Sequence, residues 1–384
     1  HEKASKLLEA LESHASQRAE YYFLLGLNTK ALGHDAAAEN AFRQALERIP
    51  SSPEVYATLG PMFIQLGLYA EAITVFERAH ELNPDSYEAA YYLVVAYQGA
   101  GQPEKARAIA QSALKRWERA DLHHLLGEVN EQLGSYVEAV NHFQRAVELE
   151  PSERNVFDLG YEFLVHWSWD AAFAVFQKGL ELHPKSEWLW LGSATAYYAQ
   201  GDYTRAIEAF LEATAAAPDN VIAYRLLVAT YPLAGGDSEA VQRRLRQFQK
   251  EHPDNPWANY CYALALWQIP DRRPSQAELT EATRLLQRAV ALAPDMPEAH
   301  YQLGVLLSEQ GQWPEAVHNL EAAIRSKADY VEAHYRLALA YQRIGNSEQA
   351  RAMLAQYRKL KNEMDSALDR RASQTTKFIY SLKR

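Results

Sequence analysis

The 384 residues carry a net charge of −10, with 48% apolar and 23% charged residues. That mixture supplies a packed core and excludes the cationic footprint that embracing nucleic acid would require. One cysteine, Cys261, excludes an internal disulfide framework and a cysteine-based zinc cluster, and no apolar run reaches the roughly 18 residues that cross a bilayer.

The chain opens on His1, not Met, with "HEKASKLLEALESHA". This stretch reads as an amphipathic helix and not as a signal peptide. An upstream segment is expected to have been removed or left out, so the compartment stays open. A soluble chain is expected, cytoplasmic or, after loss of such a segment, periplasmic or secreted.

From about Ala19 a pattern recurs in steps of 33 to 35 residues. A turn glycine (Gly33, Gly67, Gly101, Gly134, Gly201, Gly311, Gly345) is followed five positions on by a small residue, as in Ala38, Ala72, Ala139 and Ala206. Four further stands a large apolar residue, as in Phe42, Phe76, Phe143, Phe176 and Phe210, and three beyond that another small one. A proline then closes the segment at Pro50, Pro84, Pro151, Pro184, Pro218 and Pro294. Residues at i, i+4 and i+7 share one helical face. The small residues allow two helix backbones to approach, the phenylalanine fills the groove between them, and proline stops the helix by removing a donor. Each unit is therefore a helix, a tight turn and an antiparallel helix, which cannot bury its apolar face alone and must stack on neighbours.

The unit Tyr56, Leu59, Gly60, Phe63, Ala72, Phe76, Ala79, Pro84 resembles the tetratricopeptide repeat (TPR), whose period is 34 residues and whose signature is W-x2-L-G-x2-Y, A-x3-F, P. The resemblance covers more than nine-tenths of the chain. It implies an all-α fold, a right-handed α-solenoid superhelix of helix-turn-helix repeats. Residues 1–18 form a half repeat contributing a second-helix element, and residues 19–362 about ten repeats. Residues 363–384 form a capping helix and basic tail, since array ends need a polar-faced cap.

Departures from the ladder point to particular places. The third repeat has Glu118 where proline is expected. The fifth has Trp167 in place of the turn glycine, in "HWSWD". The seventh carries Pro232 near the end of its first helix, and the eighth an insertion near 269–280, "QIPDRRPSQAELT", expected as a surface loop. Residues 358–384 hold eight basic against three acidic residues, a local +5 that leaves −15 elsewhere. This segment reads as a solvated cap or as a basic handle for an acidic partner.

No catalytic motif is present: no G-x-S-x-G, H-E-x-x-H, P-loop, G-x-G-x-x-G or calcium loop. His123 and His124 are adjacent on a helix and point apart, with His142 on the following helix; no metal site and no cofactor are expected. Cys261 lies in an apolar first-helix stretch and reads as a packed thiol. No catalytic residue is assigned.

In the TPR family the first helices line a concave face that takes ligands in extended form. The resemblance implies that the second, fifth, ninth and twelfth positions of each first helix point inward. Here those positions supply Phe23, Tyr91, Phe157, Tyr161, Trp188, Tyr198, Trp257, Tyr260, Trp267, Tyr301 and Tyr335 as candidate partner-binding residues. The three tryptophans stand out, since tryptophan is enriched at interface anchors. The inward Lys, Asn and Arg set of carboxylate-clamp repeats is not matched, nor is the asparagine ladder of sugar-transferase arms. The function read from the sequence is a non-enzymatic scaffold holding a protein or peptide segment. Two alternatives stand beside it: the interaction arm of a larger enzyme or secretion machine, and a self-associating array.

Overall fold

The computed structural model describes residues 2–15, 18–48, 53–234, 238–270 and 272–382. Pro50, the terminator expected for the first repeat, lies outside the described residues, as do Asp271 of the insertion and Arg384 of the basic tail. Among the described residues the chain is all-α, with twenty-one α-helices and one short 3-10 turn. It divides into two compact units, His1–Asn155 and Val156–Arg384.

The first unit begins with α1 (Glu2–Ala15), then stacks antiparallel pairs: α2 (Ala19–Ala31) with α3 (Asp35–Glu47), and α4 (Pro53–Gln65) with α5 (Tyr69–Leu82). These are followed by α6 (Tyr87–Gly99) with α7 (Pro103–Leu114), and α8 (Ala120–Gln132) with α9 (Tyr136–Leu149). Helix α4 packs both on its own second helix α5 and on the next first helix α6, and α6 likewise packs on α7 and α8. The ladder phenylalanines do the filling that their spacing implies. Phe23, Phe42 and Phe63 are buried together, Phe63 standing edge-on to Phe23 at a centroid distance of 5.0 Å.

The second unit continues with α10 (Glu153–Val165) and α11 (Trp169–Leu182), then α12 (Glu187–Ala199) and α13 (Tyr203–Ala216), and α14 (Val221–Thr230) and α15 (Ser238–Glu251). The pairs α16 (Pro256–Trp267) and α17 (Gln276–Leu292), α18 (Pro297–Glu309) and α19 (Trp313–Ser326), and α20 (Val331–Arg343) and α21 (Ser347–Leu382) complete it. Even-numbered helices are thus first helices and odd-numbered ones second helices. Helix α14 is short because Pro232 cannot continue it, and a 3-10 turn, Tyr231–Leu233, follows instead. The buried Tyr224 and Phe248 rings stack at 3.8 Å, tying α14 to α15.

Phe176 shows how small and large residues interlock. Its fully buried ring lies against Gly160 on α10 and Gly192 on α12, and a Cβ added at either glycine would overlap the ring. One side chain on a second helix therefore sets the approach of two first helices.

The turns follow the expected chemistry with one exception that carries strain. Gly134 ends α8 at φ 70°, its N–H bonding to Glu131 O at 2.9 Å and Ser135 N–H to Asn130 O at 2.8 Å. Trp167 repeats that pattern at φ 56°, the non-glycine residue with positive φ among the described residues. Its N–H bonds to Leu164 O at 3.1 Å and Ser168 N–H to Phe163 O at 2.9 Å. The left-handed conformation costs an L residue about 1–2 kcal/mol, and the stack of Trp167 on Trp169 at 6.3 Å offsets it. Trp167→Ala loses the stack and keeps the strain, whereas Trp167→Gly loses both. Denaturant unfolding is expected to find the glycine variant about 1 kcal/mol more stable than the alanine variant. The reverse order would mean that the turn stores no strain.

Two features, the insertion and the carboxyl end of the chain, differ from the expected outline. Part of the inserted segment is helical, because α17 starts at Gln276. Ser275 and Glu278 form a capping box there, and Arg272 holds Glu278 through two guanidinium contacts of 3.0 and 2.6 Å. These partners, Arg272 foremost, hold the Glu278 carboxyl down at about 2. At the other end no separate capping helix begins near residue 363: α21 runs unbroken from Ser347 to Leu382. No turn glycine or proline interrupts it after Gly345.

No described helix is long and apolar enough to cross a membrane.

Candidate functional site

The first helices of the second unit gather exposed apolar side chains on one face. On α10 and α12, Phe157 lies 6.0 Å from Tyr161 and 5.9 Å from Trp188. Tyr161 and Trp188 are 52% and 43% exposed, far more than a core aromatic would be. Tyr198, further along α12, is exposed and meets Tyr203 edge-on at 5.4 Å.

The next three first helices form a cleft of about 670 Å³. Ile222, Arg225, Leu226 and Ala229 of α14 make one wall. Trp257, Tyr260 and Leu264 of α16, with Gln268 just past its end, form the floor, and Glu298 and Gln302 of α18 the far side. Ile222 and Leu226 sit one helical turn apart and are both exposed. The Arg225 guanidinium lies 3.8 Å over the Trp257 ring, and its other edge faces Glu298 at 3.8 Å. Stacking and charge together hold this cation in one place at the rim. Gln268 donates to Gln302 at 3.0 Å, closing the far end. Burial pushes the Tyr260 phenol well above its ordinary range, so it lines the floor as a neutral group.

Beyond the cleft, Tyr301 on α18 packs against Tyr330 at 4.8 Å, and Tyr335 on α20 is exposed beside Tyr357 of α21 at 5.3 Å. In the first unit, half-buried Tyr91 meets Tyr92 edge-on at 5.4 Å.

Two of the residues expected to face a partner do not. Phe23 is 1% exposed, because the neighbouring ladder rings Phe42 and Phe63 draw it into the core. Trp267 is buried at the end of α16, whose residues from Ala258 onward are all buried. The repeat's position numbering assumes one open face, and α16 loses its open face toward its carboxyl end. Conversely, Ile222 and Leu226 line the cleft and are exposed, although neither is among the aromatic positions expected to face a partner. The usable signal was the repeat spacing, which puts Ile222 in the position of Trp188 and Trp257.

A second cleft of about 510 Å³ lies in the first unit, among Tyr56, Phe76, Leu82, Asn83, Ser86 and Tyr92. It opens where the tail of a second helix meets the starts of first helices, so it does not run across a continuous face.

Nothing in these clefts resembles a catalytic arrangement. Cys261 is fully buried and its thiol is pushed up by burial, which keeps it protonated and inert. His123 and His142 come together as a pair, Nδ1 to Nδ1 at 2.9 Å, one ring donating to the other. Burial lowers both rings' proton affinity. Glu118, which replaces the expected proline, lies 3.7 Å from the far side of His123 and is held by Arg145. The Nδ1 contact satisfies one nitrogen of each ring, while the buried Nε2 of His123 has no hydrogen-bond partner.

Models of known families agree with this architecture. Models described as tetratricopeptide repeat match residues 30–87, 168–231, 275–318 and 332–360, and one described as TPR repeat matches 306–345. Together they tile more than half of the chain. A model for anaphase-promoting complex, cyclosome, subunit 3 matches residues 65–146. Human tetratricopeptide repeat protein 13 is 29% identical over 217 residues, 54% of this chain and 25% of that protein. Human protein O-mannosyl-transferase TMTC1 is 22% identical over 202 residues, 51% of this chain and 23% of that protein. The chain thus spans about a quarter of the length of these curated relatives. Among solved structures, yeast Tom70 aligns over 95% of this chain and 97% of its own, at 14% identity and a TM-score of 0.46. The chain belongs to the tetratricopeptide repeat family, whose architecture is that of a protein–protein interaction scaffold.

Proposed function

We propose that the chain holds an extended segment of a partner protein across α14, α16 and α18. The observation that carries this reading is the cleft itself, with its exposed Ile222 and Leu226 beside the Arg225–Trp257 stack. Adjacent packed helices lie about 8–10 Å apart and an extended chain advances about 3.3 Å per residue. A segment of about six residues therefore spans the three helices. Its apolar side chains fill the space over Leu264 and Ala229, and a carboxylate in it meets the free edge of Arg225. Phe157, Tyr161 and Trp188 extend the apolar face toward the start of the unit and Tyr335 toward its end, as further contacts for a longer segment. Catalysis has no part in this role.

Segments selected on the intact chain from a displayed peptide library test the proposal. They are expected to share two or more apolar residues and to lose binding when the cleft is altered. Segments that bind the altered chain equally well would put the site elsewhere.

A second reading is that the array serves as the interaction arm of a longer polypeptide, favoured by the quarter-length coverage of the relatives. The two readings share the same cleft.

A further inference from the structure

A cleft of different chemistry lies inside the first unit. In nine of the ten first helices the fifth residue is bulky, as in Tyr91, Phe157, Tyr260 and Tyr335, whereas in α4 it is Ala57. Ala57 lines the cleft of about 510 Å³ between α4, α5 and α6, so the space that a ring fills in other repeats stays open there. Small-molecule sites span about 300–1,000 Å³. Because this cleft does not run across a continuous face, it suits a compact molecule and not an extended segment.

The floor of the cleft is apolar and fixed. Phe76 is wedged against Gly60, where an added Cβ would overlap its ring, and it stacks on Tyr92 at 5.2 Å with the planes 18° apart. Two polar groups interrupt this lining, and the fold itself uses neither fully. Tyr56 is 3% exposed, and its buried hydroxyl has no hydrogen-bond partner. A hydroxyl left in that state is costly, and a polar group on a ligand recovers the cost. Glu88 lies exposed in the first turn of α6, its carboxylate 3.5 Å from Ser86 Oγ and in no ion pair among the described residues. The nearby Asp85 is already held by Arg116. The charge offered to a ligand here is therefore negative.

We infer that this cleft is a site for a small aromatic amine. The ring of the amine takes the place beside Ala57 that a tyrosine ring fills in other repeats, against Phe76 and Tyr92. A hydroxyl on that ring meets the Tyr56 hydroxyl, and the ammonium meets Glu88. The partner cleft of the second unit offers a cation, Arg225, where this one offers a carboxylate, so the two sites take ligands of opposite charge.

Titration calorimetry of the intact chain tests this with three probes. These are tyramine, phenethylamine, which lacks the hydroxyl, and 3-(4-hydroxyphenyl)propionate, which carries a carboxylate in place of the ammonium. Tyramine is expected to bind with a Kd below about 1 mM. It should bind about fivefold tighter than phenethylamine and at least about tenfold tighter than the acid. Tyr56→Phe is expected to erase the difference between the two amines, and Glu88→Gln to weaken both about fivefold. Ala57→Tyr gives α4 the ring that four other first helices carry at this position. That variant is expected to keep its circular dichroism and to lose tyramine binding. No heat with tyramine at about 10 mM would overturn the inference. So would undiminished binding to the folded Ala57→Tyr variant, which would put the amine elsewhere. Acid binding as tight as that of tyramine would overturn it too, since the charge of Glu88 would then play no part.

Discussion

Phe176→Ala is expected to cost the second unit about 3–5 kcal/mol, the range for emptying a fully buried phenylalanine site. The ring is 0% exposed and packs against two glycines on two different helices, so its loss opens space between both pairs and neither helix can collapse alone. The sharper test lies in the glycine. In the wild type, Gly192→Ala drives a methyl into the Phe176 ring and is expected to destabilise by about 1–3 kcal/mol. In the Phe176→Ala background that obstacle is gone, and alanine's helix preference over glycine, about 1 kcal/mol, is left. The same substitution is then expected to stabilise. A change of sign between backgrounds, measured by urea unfolding, is a coupling that only direct packing produces. Equal effects in the two backgrounds would mean that the glycine is not held small by the ring.

Ile222→Glu combined with Leu226→Glu is expected to weaken a selected cleft-binding segment by about 100-fold. Each residue loses about 1.5 kcal/mol of apolar burial in the complex, and the roughly 3 kcal/mol total corresponds to about two decades in Kd. Both side chains are exposed in the free chain, so thermal stability should change little. Gln247→Glu on the second helix α15, also exposed, supplies the control and should leave binding intact. Loss of affinity in the control as well would indicate a response to net charge and not to the cleft.

The repeat ladder made the fold legible because each of its residues has one physical task that tolerates few substitutes. Gly134 turns left-handed, Ala139 lets backbones approach, Phe143 fills the groove and Pro151 ends the unit. The irregular turn was legible for the same reason, since Trp167 occupies a glycine's place and keeps a glycine's φ. The candidate site was legible only in part. The family's position numbering put Trp188, Trp257 and Tyr335 on first helices, where Trp188 and Tyr335 are exposed and Trp257 is partly so. That numbering cannot register how far a helix end is covered, and so it offered Trp267, which α16 buries. Nor did it weigh an isoleucine and a leucine as it weighed aromatics, although Ile222 and Leu226 supply much of the exposed apolar surface of the cleft. The continuous α21 escaped for a different reason. The repeat signature ends near residue 362, and a polar stretch with a weak apolar stripe gives no signal of whether a helix stops or runs on.

The claim that a partner segment docks on the first-helix face of the second unit is tested most directly by amide hydrogen exchange with and without a selected segment. Protection on binding should rise in α14, α16 and α18 and stay unchanged in the second helices α15, α17 and α19. Protection confined to those second helices, or to the first unit, would contradict the account.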